Sequence, residues 1–397
     1  MTSTGPAAGS RDWSDSLLDG MRSEADTLAD DLVAGYFARA GAAGGAGRGP
    51  SHLFRRLVAH GQLPPEDRDP GVAAYLAGSP PLPDWLDPAA VARGQECFAR
   101  WGFHVFTALY AGSLPTAYAC ARGVQVLGLT ARLVTDAQRR LNETAQFHLD
   151  VMSPGGLGPG GAGLADARRV RLMHAAVRWL IGHDPQVTWD PVWGSPINQE
   201  DLVETLLSFT EVVFEVFDRA GVAYDDGDAE AYLHTWSVVG HLLGIRPDLL
   251  PLHRPDTRAL MAVVRRRQFA PSAAGRALAA ALLDQGRRLT PPGLRGLPAT
   301  AIRYLVGDEV ADLLDLPRSD WTRVVFGPLA KVSRRLSAQA VHHRLVRAVS
   351  ARAGRGMLQL AVSAERGGDR PAFAIPGALA DRWGVPAGPP APARPPS

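Results

Sequence analysis

Apolar residues recur along most of the chain at three- and four-residue spacing, the period of an amphipathic helix. Leu17, Leu18, Met21, Leu28, Leu32 and Phe37 fall broadly on one side of a helix expected over 12–40, which the Gly/Ala stretch GAAGGAGRG then interrupts. Short helices are expected at 51–60 and 70–77. In PPLPDWLD, Asp87 suits an N-cap and Pro88 the first position of a helix running to about Leu109. Gly112 and Pro115 then break the pattern in AGSLPTAY. A helix follows from about Thr135 to Met152, the linker SPGGLGPGGAG, and a second helix from about Leu164 to Ile181. Long helices are expected over 199–220 and 228–243, and helical runs alternate with Pro/Gly breaks to about 350. The one hint of strand is a short pair near LQLAVSAE and PAFAIP. No repeat at a fixed period stands out. The expectation is an all-α fold, a single large helical domain over 1–385, with a Pro-rich tail at 386–397 that composition marks as disordered.

Composition narrows the chemistry. A 46% hydrophobic share is ample for a sizeable core, and a net charge of +2 carries no nucleic-acid signal. The basic residues gathered between Arg318 and Arg355 are read as a solvated face. Two cysteines, Cys97 and Cys120, without a CxxC pair exclude a disulfide scaffold, a Cys-rich zinc site and the signature of covalently attached haem. No secretion signal and no apolar run long enough for a membrane span is visible, so a soluble, cytoplasmic protein is expected. Gly158, Gly160 and Gly163 have GxGxxG spacing but lie between two helices rather than after a strand, which favours a flexible connection over a dinucleotide site. No ExxH motif supports a di-iron bundle, and Glu200, Glu204, Glu211 and Glu215 read as exposed positions or ordinary buried partners. His342 and His343, as neighbours on a helix, make a poor metal pair.

Two helices carry polar groups where their pattern is not plainly solvent-facing. In RRLNETAQFHLDVM, Leu141, Ala145, Leu149 and Met152 form one apolar face. Arg140, Glu143, Thr144, Phe147 and Val151 form a second stripe, and Asn142, Gln146 and Asp150 lie between, toward water. Polar groups set among Phe and Val need partners, which a polar ligand inside the bundle would supply. In DARRVRLMHAAVRWLIG, Ala167, Val170, His174, Val177 and Ile181 share a face on which His174 alone is polar, and Arg171 and Arg178 flank it. By pattern alone, His174 is either a satisfied core histidine or a ligand. An apolar pocket with one imidazole facing an iron is what a proximal haem ligand requires, and nearby arginines suit two propionates.

Several segments together resemble the latex-clearing protein (rubber oxygenase) and MpaB oxygenase family. They are GSLPTAYA at 112–119, the Arg140 and Thr144 pair in RRLNETAQF, His174 34 positions after that arginine in RxxHAAVR, GSPINQEDLVETLLSF at 194–209 and HTWSVVGHLLGI at 234–245. The resemblance covers about 90–250. It implies an all-helical bundle, globin-like in helix content, around one non-covalent haem b, with His174 as proximal ligand and Arg140 and Thr144 in the haem pocket. Arg171 and Arg178 remain the expected propionate partners. The family's activities include oxidative cleavage of carbon–carbon double bonds in isoprenoid chains, with dioxygen, to carbonyl products.

The chain departs from the rubber-cleaving members in two respects. Those look exported, and they carry a lysine just before the threonine, where this chain has Glu143. Both departures point to a small, unsaturated, apolar substrate rather than polymeric rubber. Glu143 pairs with Arg139 or Arg140, or it presents a carboxyl on the distal side as a proton donor or acceptor beside Arg140 and Thr144. His104, His148, His241 and Trp236 are weaker candidates for a second ligand or a pocket wall. Three other readings stay open: a haem peroxidase or peroxygenase, a haem-binding protein without turnover, and a helical scaffold that has lost the cofactor.

Overall fold

The computed structural model describes residues 11–42, 68–133 and 137–318, apart from 12, 79, 80 and 186, with a few positions between 330 and 337. Among these the chain is helical and holds no strand, only an isolated bridge between Cys120 and Phe269. The helix expected at 51–60, the strand pair near 357–376, the paired histidines and the Pro-rich tail lie outside the described residues.

The N-terminal pattern forms two helices rather than one, α1 (Asp15–Ser23) and α2 (Thr27–Ala42). The break has a tertiary cause: Gln199 donates from its backbone to the Glu24 carbonyl at 2.9 Å and from Nε2 to the Ala25 carbonyl at 2.9 Å. Those carbonyls are thereby held outside a helical ladder. After α3 (Pro70–Ala77) comes α4 (Pro88–Ala108), which starts as expected: Pro88 opens it and the Asp87 carboxylate accepts from the Ala89 N–H at 2.8 Å.

Gly112 and Pro115 do not break the chain direction. A π-helical turn at Leu109–Ser113 leads from α4 straight into α5 (Leu114–Ala119). Proline lacks the N–H that would bond back one turn, and the widened turn absorbs that missing bond without ending the helix. The remaining main helices are α6 (Val124–Leu133), α7 (Ala137–Met152), α8 (Ala162–His183), α9 (Gln199–Phe209), α10 (Glu211–Ala220), α11 (Asp226–Leu242), α12 (Arg254–Gln268), α13 (Ala273–Leu289), α14 (Leu297–Val306) and α15 (Asp308–Leu313). The expected 199–220 helix is thus divided at Thr210, whose backbone at φ −116°, ψ −83° leaves the helical region.

α11 is buried along nearly its whole length and is the axis of the fold. A helix apolar on all sides has nowhere stable to lie but the interior. Its threonine and serine hydroxyls bond back within the helix, Thr235 Oγ1 to the Ala231 carbonyl and Ser237 Oγ to the Leu233 carbonyl, so neither is stranded. α4 packs along it. Gly94 permits the close approach, because a Cβ there would lie 2.4 Å from Thr235 Oγ1 and 2.5 Å from the Ala231 carbonyl. Cys97, Phe98, Trp101, Val105 and Ala108 of α4 complete that face of the core. A second, smaller core joins α2 to α8 through Ala29, Val33, Tyr36, Phe37, Leu172, Ala175 and Ala176.

Candidate functional site

The two helices singled out by pattern, α7 and α8, pack against each other. Their connection is ordered rather than flexible. Gly156, Gly158 and Gly161 each donate a backbone hydrogen bond of 2.9 Å to the residue three before, and Leu164 N–H returns to the Gly156 carbonyl at 2.9 Å. Gly155 and Gly160 take φ of +75° and +72°, the left-handed turns glycine tolerates. A Cβ at Gly163 would fall 2.6 Å from Val151 Cα, so the start of α8 lies directly on the backbone of α7. The glycine spacing therefore has a packing cause, and it sets the register in which the two helices face each other.

His174 lies in the middle of α8, half-buried, and its Nδ1 is buried without a hydrogen-bond partner. Burial, with a smaller contribution from the Arg178 charge, pushes its pKa down to about 4 against an opposing pull from Asp26. The ring is therefore neutral at pH 7, the form in which imidazole binds a metal. The stripe that contains it follows the expected spacing, with Ala167 buried and Val170, Val177 and Ile181 half-buried. One turn further on, Arg178 is 9% exposed, and its NH2 is also buried without a partner. Its Nε pairs with Asp30 at 2.7 Å and its NH1 donates to the Ile197 carbonyl at 3.2 Å. Arg171 is held by Asp26 in a two-pronged pair, Nε to Oδ2 at 2.5 Å and NH2 to Oδ1 at 2.7 Å.

On α7, Glu143 is half-buried and Thr144 is exposed. Arg140 lies one turn earlier on the same helix, and its side chain is outside the described residues. One expectation for this helix needs correction. Asp150 does not face water: it is 9% exposed, accepts from Gln146 Nε2 at 2.5 Å, and lies beside the Asp166 carboxyl of α8. Burial, with a hydrogen bond to Asp150 and its charge, raises the pKa of Asp166. His148 is fully buried in an aromatic chamber of Phe98, Phe106, Phe209, Tyr232 and Trp236, with ring centroids 4.7–6.3 Å away. Its Nε2 is 3.2 Å from the Tyr232 hydroxyl, while its Nδ1 and Trp236 Nε1 are buried without partners. Apolar burial pushes this imidazole down to about 3.

The other candidates lie elsewhere. His241 Nε2 is 3.1 Å from the Pro81 carbonyl beside Trp85, and His104 sits among Trp101, Phe103 and Phe217. Glu200 and Glu211 are buried partners rather than surface groups, Glu200 being held by Arg22 and Arg267 and Glu211 by Arg258, whereas Glu204 is buried with its Oε1 lacking a hydrogen-bond partner. Among the described residues, no group of three or more His, Cys, Asp or Glu is placed to hold a metal ion, and no helix is long and apolar enough to cross a membrane. Sequence reasoning missed Asp26 and Asp30. Their one-turn spacing opposite a pair of arginines two turns apart was the available signal.

The fit of a haem to these residues rests on α8. A neutral imidazole with a buried, unpartnered nitrogen stands one turn from a buried guanidinium nitrogen that also lacks a partner, and His174 would ligate a haem iron while Arg178 would pair with one of its carboxylates.

Comparisons with known proteins cover this region. A family model described as "ER-bound oxygenase mpaB/B'/Rubber oxygenase, catalytic domain" matches residues 95–335. A protein named "Rubber oxygenase" from Streptomyces sp. (strain K30) is 29% identical over 269 residues, 67% of this chain. The match spans 65% of that relative's length. A solved structure titled "Structure of Latex Clearing Protein LCP in the closed state" superposes with a TM-score of 0.69 at 25% identity, covering 89% of this chain and 94% of that one. The family match begins within α4 and takes in α7, α8 and α11; α1, α2 and α3 lie outside it.

Proposed function

The chain belongs to the MpaB and rubber oxygenase catalytic-domain family, and on that footing we propose that it is a haem b-dependent oxygenase acting with dioxygen on an unsaturated, apolar, isoprenoid-like small molecule. The reaction we propose is oxidative cleavage of a carbon–carbon double bond to carbonyl products. The observation that carries the reading is His174: a neutral imidazole on a half-buried apolar stripe, with a buried nitrogen that nothing in the protein satisfies.

Haem, when bound, supplies an iron at which dioxygen is activated. His174 is its ligand in this reading. Arg178, with its unpartnered NH2, takes one carboxylate arm, and Arg171 lies three residues before His174 on the same helix for the other. In this reading Arg140 and Thr144 of α7 would help hold the cofactor. Glu143, adjoining Thr144, holds or moves a proton near the reacting atoms. The substitution of Glu143 for the lysine of rubber-cleaving members is the support for a substrate smaller than the polymer.

The test is the absorption spectrum of the purified protein, with haemin offered, before and after dithionite, beside His174→Ala. A Soret band that shifts on reduction and is lost or altered in the variant is expected, followed by oxygen uptake with an isoprenoid alkene. Glu143→Gln should cut turnover by tenfold or more while leaving that spectrum nearly intact. Protein that stays colourless after haem is offered would overturn the reading. Turnover on peroxide without oxygen uptake would replace oxygenase with peroxygenase.

A further inference from the structure

We propose that Asp26, immediately before α2, and Asp30 of α2 are positioning residues: by gripping Arg171 and Arg178 on either side of His174, they set the roll and the seat of α8. The proposal rests on the reading of His174 as the haem ligand. Arg171 stands three residues before His174 and Arg178 four after it. At 100° per residue, both lie within ~60° of His174 around the helix. They lie ~10 Å apart along its axis. A helix held at one point can roll about that point; two grips flanking one side chain fix the direction in which that side chain points.

The rest of the contact between α2 and α8 does not supply that constraint. It is apolar: Val33 and Phe37 against Leu172, Ala175 and Ala176, with Phe37 stacked on Trp179 at 3.7 Å. Apolar burial is non-directional and tolerates sliding, whereas a two-pronged guanidinium–carboxylate pair has one geometry. Asp26 is also built in rather than adventitious. It is 5% exposed, and Gly244, at φ +88°, makes room for it, since a Cβ there would lie 2.6 Å from Asp26 Oδ2. The grip comes from α2 and the residue that precedes it, outside the residues matched by the family.

The experiment uses the full chain with haemin, comparing Asp26→Asn/Asp30→Asn, Asp26→Glu, and Asp69→Asn as control; the last breaks the Arg39–Asp69 pair at the far end of α2. Haem release is followed by transfer to excess apomyoglobin, and the ferric Soret and spin state are recorded beside it. Amide hydrogen exchange over residues 162–183 is measured on haem-free protein. The double variant is expected to release haem about 10-fold faster or more, with an altered ferric spectrum and faster exchange at 170–178 but not at 226–242. Asp26→Glu restores most of the wild-type spectrum, and Asp69→Asn stays within about twofold of wild type. Wild-type release and spectrum in the double variant would overturn the proposal. If the wild type takes up no haem, the haem reading fails by itself, and the exchange data decide the grip: unchanged exchange at 170–178 overturns it. Should the double variant lose its helical circular dichroism, Asp30→Asn alone is judged by the same measurements.

Discussion

Replacing Gly163 with alanine tests whether the junction of α7 and α8 sets the site. The new methyl would lie 2.6 Å from Val151 Cα, 2.7 Å from Val151 N and 2.8 Å from the Asp150 carbonyl. Ordinary contact begins at 3.4 Å, so the shortest of these falls short by about 0.8 Å. Every atom met is backbone of α7, so no side chain can swing aside, and the two helices must part or shift along each other. Overpacking of this kind costs ~1–3 kcal/mol, and alanine's better helix propensity returns at most ~1 kcal/mol of it. Urea unfolding of Gly163→Ala should therefore give a net loss of ~1–2 kcal/mol. The matched control is Gly182→Ala, near the other end of the same helix, where nothing lies within 4 Å of the new Cβ. That variant should be neutral or gain up to ~1 kcal/mol. Because α7 carries Glu143 and α8 carries His174, the Gly163→Ala protein should also bind haemin more weakly, by tenfold or more, when titrated at the Soret band. Equal stability of the two alanine variants would refute the argument that backbone contact at Gly163 sets the helix register.

Three further outcomes follow from buried polar groups. His148 is held neutral when folded, and the unfolded chain takes up a proton below about pH 6.5, so its contribution is whole above that value and is lost as pH falls toward about 3. Between pH 7 and pH 5 this amounts to ~2 kcal/mol, and His148→Phe should lessen the fall of unfolding free energy over that interval by a similar amount. Burial, then the charge of Asp201, pushes Glu204 up to about 8. Folded protein keeps that proton while the unfolded chain releases it above about 4.5, so stability is lost as pH rises to 8. Glu204→Gln should gain on the order of 3–4 kcal/mol over wild type between pH 5 and pH 8, and a constant difference across that range would rule the mechanism out. Asp228 accepts from Arg100 NH1 at 2.7 Å and from Arg93 Nε at 2.8 Å, with both the Asp228 and Arg100 side chains under 4% exposed. Asp228→Ala leaves the Arg100 charge buried and alone, and denaturant titration should show a loss of ~3–5 kcal/mol.

Much of the local structure is determined by the sequence itself, because its causes are local. The period of the apolar residues makes the chain helical. Asp87 and Pro88 start α4 with a side chain and a fixed φ that need no distant partner. His174 is isolated on its stripe by spacing alone, and the arginines beside it follow from the same spacing. What tertiary structure decided depends on groups far apart in the chain. Glu24 and Ala25 end a helix because Gln199 claims their carbonyls. Gly112 and Pro115 look like a break, yet Gly112 sits in a π-turn packed against Val216 of α10, with no room for a Cβ, and Pro115 opens the helix that follows. The glycines around the start of α8 read as slack, yet at Gly156 and Gly163 a Cβ would strike the backbone of α7, so only glycine lets α8 begin on it. Asp150 and His148 face inward because α8 and the aromatic rings of α4, α9 and α11 cover them, which no period within α7 encodes. The partners of Arg171 and Arg178 stand 145 and 148 residues away, at and within the start of α2. Charge on a helix announces that a partner is wanted; only the packing of α2 against α8 determines which carboxylates arrive, because that choice is made by burial and geometry across the fold.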